Sequence, residues 1–242
     1  MDDSTRQAPF TIPDFERRKA KYEPVARELH AVFGYPTWRQ WLPPLDELID
    51  CILSQSTTDV NRDRAFAALK ARFPDWEAVM NAPVDDVIEA IRPAGLAYQK
   101  APRIQEVLRR IHAERGTLNI DFLNDLPIDE AKAWLTSFHG VGPKTAAIVL
   151  CFGFNRPAFP VDTHIHRVGQ RIGFLPQGIS ADKAHPVMEA IIPPEAYYAF
   201  HLNLIRLGRE ICQARRPRCE ICPLTAYCDY FQSLTHGQRE LE

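Results

Sequence analysis

The chain has 242 residues, 45% of them hydrophobic, with 29 basic against 31 acidic side chains and a formal net charge of −2 at pH 7. That length buries a proper core in one large domain or two modest ones, and the balanced charge excludes a global field for holding a polyanion, so any nucleic-acid face must be local. The start MDDSTRQAPF lacks the basic-then-apolar pattern of a signal peptide, and the longest apolar run, Ala146 to Phe154, is too short to span a bilayer, so a soluble intracellular protein without a membrane partner is expected.

After MDDSTRQAP, expected to be disordered, DFERRKAKYEPVARELHAVF reads as a helix. Apolar residues then recur at helical spacing: Leu45, Leu48, Ile49 and Ile52; Phe66, Leu69 and Phe73; Ile104, Val107, Leu108 and Ile111. Alternating period-two segments are missing. Most of the 20 prolines fall where helices should begin or end, as in LPPLDEL, NAPVDD, DLPIDE and IIPPEAY. The pattern predicts an all-α protein of short helices. No fixed-period repeat or Gly/Ser linker divides it, and GFNRPAFP, residues 153–160, is the best candidate for a compact boundary. Cys51 and Cys151 sit in apolar helical settings and read as small buried hydrophobes.

AKAWLTSF, HGVGP and KTAAIVLCFGF read as helix, tight turn, helix, with Gly140 and Gly142 able to take backbone angles closed to other residues. Free amides at such a turn form a phosphate-sized anion site, although a plain αα-hairpin looks the same in sequence. Lys144 stands on the first turn of the second helix, where the positive end of the helix dipole disfavours a cation. An amine placed there loses its proton more readily, which suits a nucleophile; a phosphate-binding lysine is the equal alternative.

FPVDTHIHRVGQRIGF starts another helix, with Asp162 at the N-cap position; a capping carboxylate can also present its second face to a cleft. His164 and His166, two apart, point to different helix faces and do not easily share a metal ion. Last come Cys212, Cys219, Cys222 and Cys228 in the spacing C-x6-C-x2-C-x5-C. Four such thiolates hold zinc or an iron–sulfur cluster; a single short C-x2-C pair leans towards the cluster. QARRPR, with Arg215, Arg216 and Arg218, lies between the first two cysteines, so a metal would pin a strongly basic loop suited to phosphate contact.

HGVGPKTA, the VDTH aspartate eighteen residues beyond the lysine, and the four-cysteine tail together resemble the endonuclease III family of helix-hairpin-helix DNA glycosylases, across about residues 38 to 230. The resemblance implies an all-α, two-lobed fold. A six-helix barrel domain would cover 38–156, and 1–37 with 157–242 would form a second domain, braced by the N-terminal helix and holding a [4Fe–4S] cluster on the four cysteines. It also implies roles: Lys144 as nucleophile on the sugar C1′, Asp162 as its electrostatic and proton-transfer partner, and the Gly140, Val141 and Gly142 amides as a phosphate clamp. The implied activity is that of a monomeric, cytoplasmic or nucleoid-associated glycosylase and abasic-site lyase, removing oxidised pyrimidines such as thymine glycol from damaged double-stranded DNA.

Such chemistry requires the nucleotide to be flipped and the gap filled. PAGLAYQKA resembles the family's wedge loop, with Leu96 at the intercalating position; the alternative is that Leu96 packs beneath the loop. Where the family typically reads L-S-A-Q-A-T-D, this chain has LSQSTTD, so Ser56 holds the usual glutamine position and Gln55 sits one step earlier. Both are candidate DNA contacts. Asp50 falls where adenine-mismatch relatives carry a catalytic glutamate, with a core-facing or capping role as the alternative, while Lys144 argues against the thymine-mismatch branch, which usually has tyrosine there. Two further readings stay open: an abasic-site lyase or glycosylase of narrow range, and a non-catalytic, metal-pinned DNA-binding module.

Overall fold

The computed structural model describes residues 11–239, so the expectation for MDDSTRQAP lies outside the described residues. Among the described residues every regular element is helical and no strand occurs. The chain divides into two compact units: Gln40–Arg156 forms one, and the segments on either side, up to Arg39 and from Pro157, form the other.

The single N-terminal helix expected from the sequence is two, α1 (Phe15–Ala20) and α2 (Tyr22–Phe33), joined at Lys21. Next come the seven helices of the central unit. These are α3 (Pro44–Leu53), α4 (Asp59–Arg72), α5 (Trp76–Asn81), α6 (Val84–Ile91), α7 (Ala97–Arg115), α8 (Ile128–Thr136) and α9 (Pro143–Ile148). Proline does what its fixed φ and missing N–H favour, standing at N1 of α3 and α9 and at the N-cap of α6 and α8. All residues of α3 except Glu47 are buried, so it is the core helix, with α6 and α7 contributing Val87, Ile91, Ile104, Leu108 and Ile111. A helix buried on nearly every side must find partners for its polar groups. Asp46 accepts from Trp76 Nε1 at 2.7 Å and Lys70 Nζ at 3.1 Å, and Asp50 lies 3.4 Å from Arg62 Nε. Cys51 and Cys151 are 4% and 2% exposed, and burial pushes both thiols up to about 12, so they act as inert hydrophobes.

The apolar stretch after Lys144 reads as one helix but is built as α9 followed by a π turn, Val149–Gly153. A Cβ at Gly153 would lie 3.4 Å from Pro44, so this end of the segment is pressed against the start of α3.

The other unit continues with α10 (Thr163–Ile172), α11 (Ala181–Ile191), α12 (Tyr197–Glu210) and α13 (Asp229–Arg239). Here α10 packs closely on α12: a Cβ on Gly208 would come within 3.1 Å of His164 and 3.3 Å of Val168. The α2 face of Val25, Ala26 and Leu29 is buried, and α2 also packs on α12. Lys21 Nζ donates to the Ile172 carbonyl at 2.8 Å and the Tyr227 carbonyl at 2.7 Å, and Arg18 Nη1 donates to the Gly173 carbonyl at 2.7 Å. These bonds fasten the N-terminal helices to segments more than a hundred and fifty residues later in the chain.

Candidate active site and cluster loop

The turn before α9 is tight because Gly140 takes φ +81°, and a Cβ there would also run into the Arg103 guanidinium. The Gly140 and Gly142 N–H groups make no backbone bond among the described residues, and they stand just ahead of a helix N-terminus. Val141 is different. Its N–H donates to the Phe138 carbonyl at 3.1 Å and its side chain is 4% exposed, so it closes the turn and is corrected from a phosphate contact to a packing residue.

Lys144 is the second residue of α9 and is half-buried. Its charge acts on two carboxyls of α3. Burial pushes Glu47 up to about 7, Asp50 adds to the rise by repulsion, and Lys144 opposes it. Burial also raises Asp50 to about 6, against the pull of Arg62 and then Lys144. These acidic neighbours offset the unfavourable dipole end at which the lysine stands. They also put beside the amine a carboxyl, Glu47, able to hold or release a proton near neutral pH. Glu47 was not singled out from sequence, although its i, i+3 spacing with Asp50 on an apolar helix was a usable sign.

The two wedge candidates share a backbone property. Ser56 has φ +53° and Leu96 φ +51°, each a non-glycine residue in the left-handed region at a cost of about 1–2 kcal/mol. Leu96 is 49% exposed, which removes the alternative that it packs beneath its loop. Ser56 is exposed as well. Gln55 needs correction: its Nε2 donates to the Gly140 carbonyl and its Oε1 accepts from Arg103 Nη1, both at 2.9 Å. Its amide is engaged at both ends in tying the α3–α4 loop to the hairpin.

Asp162 caps α10, with Oδ1 accepting from the Ile165 N–H at 2.7 Å. The side chain is half-buried, and the cap occupies one oxygen, leaving the other for a second task. His166 Nε2 lies 2.8 Å from the Ile179 carbonyl and His164 Nδ1 lies 3.2 Å from Arg167 Nη2, so the two rings are directed to different partners.

All four tail cysteines are half-buried and line one pocket together with Arg171 and Tyr230. Among the described residues no three His, Cys, Asp or Glu side chains are grouped to hold a single ion. Four thiolates lining one pocket fit a cluster, in which each binds its own iron. Arg171 braces this loop, donating to Cys212 Sγ at 3.3 Å and to the Gln213 carbonyl at 2.7 Å. Arg215, Arg216 and Arg218 are exposed and make no ion pair among the described residues.

Residues 49–194 match the model of the HhH-GPD superfamily of base excision DNA repair proteins. Residues 212–228, bounded by the first and last tail cysteines, match the iron–sulfur binding domain of endonuclease III. The chain is 37% identical over 195 residues to a DNA glycosylase-like protein of Arabidopsis thaliana, covering 76% of this chain but only 66% of that one. It is 30% identical over 216 residues to the endonuclease III of Thermotoga maritima, covering 89% of this chain and 96% of that one. Among solved structures, a non-covalent endonuclease III–DNA complex matches with TM-score 0.77 at 27% identity, over 90% of this chain and 98% of that one. A trapped covalent endonuclease III–DNA intermediate matches with TM-score 0.76 at 28% identity and the same coverage. The chain therefore belongs to the endonuclease III family of the HhH-GPD superfamily: it is a DNA-binding base excision glycosylase with a [4Fe–4S] cluster.

Proposed function

We propose that the enzyme is a bifunctional glycosylase and abasic-site lyase that removes oxidised pyrimidines, thymine glycol among them, from damaged double-stranded DNA. The observation that carries this reading is Lys144, a half-buried amine at the head of the hairpin helix, beside Glu47 and Asp50 and next to unbonded glycine amides. A similar protein trapped as a covalent intermediate with DNA supports a covalent route.

In this mechanism the lone pair of Lys144 Nζ attacks C1′ and the glycosidic bond breaks, the base leaving with the bonding pair and taking up a proton. The C1′–O4′ bond then opens, O4′ taking the bonding pair and the proton that Glu47 relays from the amine, which leaves a protonated Schiff base. Loss of a C2′ proton drives β-elimination of the 3′-phosphate, and water hydrolyses the Schiff base to return the amine. Glu47 accepts the surplus proton from Lys144. Asp162 stabilises the positive charge that develops on the sugar. Gly140 and Gly142 hold a backbone phosphate, and Arg215, Arg216 and Arg218 add outer phosphate contacts on a loop whose four cysteines bind the cluster.

Borohydride trapping tests this reading, with wild type and Lys144→Gln on duplexes carrying an abasic site or thymine glycol. Crosslinks to both substrates that vanish in the variant are expected. DNA binding without any crosslink would instead indicate a non-catalytic module. The engaged amide of Gln55 favours a second reading, an abasic-site lyase of narrow range, which would trap on the abasic duplex alone.

A further inference from the structure

Lys100 lies on the first turn of α7 and is 1% exposed, yet among the described residues no carboxylate pairs with it. Its Nζ instead donates to two backbone carbonyls, Leu53 at 2.7 Å and Ala94 at 2.9 Å. Leu53 is the last residue of α3, three before Ser56. Ala94 closes the 3₁₀ turn Arg92–Ala94, two residues before Leu96. Burying an unpaired ammonium is expensive, and a helix-end carbonyl recovers only part of that cost. A methionine of similar shape would fill the space without the charge. What methionine cannot do is join the two loops.

We propose that Lys100 is a positioning residue for base extrusion, clamping the Ser56 loop to the Leu96 loop so that both wedges meet the duplex at one fixed spacing. This rests on the reading of those loops as wedges. Both wedge residues hold left-handed backbone angles, a conformation that persists only where surrounding bonds over-determine it. The Lys100 bonds stand immediately ahead of each. One turn further along α7, Arg103 grips Gln55, whose amide reaches the Gly140 carbonyl, so the clamp continues into the phosphate-binding hairpin. Burial and the Arg103 charge lower the Lys100 pKa, as expected of an ammonium held by carbonyls alone.

The test compares wild type, Lys100→Met and Lys100→Arg in single-turnover excision of thymine glycol from a duplex and from the same strand unpaired. Emission from 2-aminopurine beside an abasic analogue in a duplex reports unstacking on binding, independently of excision. Lys100→Met is expected to slow duplex excision about tenfold or more, to change single-strand excision less than about twofold, and to lose the 2-aminopurine rise; Lys100→Arg, which keeps the donors, recovers most of both. Equal losses on both substrates, with a lowered melting point, would reduce Lys100 to a stability role and overturn the proposal, as would no loss on either. If Lys100→Met melts below the assay temperature, Lys100→Gln, which keeps a donor for one carbonyl, carries the same comparison. Wild type inactive on both substrates would sink the thymine glycol reading alone, and the 2-aminopurine response would then decide the role of Lys100.

Discussion

Gly140→Ala is the sharpest probe of how the hairpin is built. At φ +81° the new methyl group forces a left-handed alanine, costing about 1–2 kcal/mol. It also lands on the Arg103 guanidinium, which must move and give up its 2.9 Å bond to Gln55, worth about 1 kcal/mol. The single variant should therefore lose about 2–3 kcal/mol. The two causes separate in a double-mutant cycle read by urea unfolding, because Arg103→Ala removes both the obstacle and the bond. In that background Gly140→Ala should cost only the backbone part, leaving a coupling energy of about 1 kcal/mol. Fully additive losses would show that Arg103 does not pack on the turn, and a costless Gly140→Ala would show that the turn is not left-handed.

Three further outcomes follow from the same geometry. The Glu47 carboxyl titrates near 7 in the folded chain against 4.5 ordinarily, so the folded state binds that proton more tightly and stability falls as pH rises through this window. Glu47→Gln should abolish that fall, matching wild type below the window and exceeding it above, in urea midpoints measured across pH; Asp50, raised to about 6, keeps a smaller fall of its own. Replacing Arg215, Arg216 and Arg218 by alanine should weaken duplex binding evenly across sequences and flatten log K against log salt by about 0.9 for each phosphate no longer neutralised, measured by titration at several salt concentrations. Cys222→Ser should diminish the visible absorption of the cluster in the purified protein, whereas Cys151→Ser should leave it intact because Cys151 is buried in the other unit.

Much of the site is legible in sequence because it is made of local chemistry. Two glycines and a proline announce the hairpin, an aspartate before an apolar helix announces the cap, and cysteine spacing announces the cluster loop. The features that escape are those decided by distant partners. Gln55 looks free in LSQSTTD, but Gly140 and Arg103, some fifty to eighty-five residues away, engage its amide. Val141 looks like one amide of three until Phe138 takes its N–H. Lys100 leaves only a faint trace, a lysine one turn before buried Ile104 and two before buried Val107. The single helix read through Ala146 to Phe154 becomes a π turn in its second half, where Gly153 meets Pro44. For Asp50, an exposure of only 8% and the Arg62 neighbour fit the core-facing alternative.

The unequal continuity of the two units also sets an order of events at the ribosome. Gln40–Arg156 is one unbroken stretch, so the unit that bears Lys144 can fold as soon as it has emerged. The N-terminal helices cannot do the same. Val25, Ala26 and Leu29 of α2 pack in a unit whose helix α12 begins only at Tyr197, and at a synthesis rate of about 5–20 residues per second that face waits on the order of ten seconds or more. Throughout that interval the nascent chain displays an apolar helix whose docking partner has not yet been translated, and the cysteine loop emerges later still. The cysteine loop, residues 212–228, is therefore made only after the Lys144-bearing unit, and the cluster is assembled on a chain in which that unit has already had time to fold.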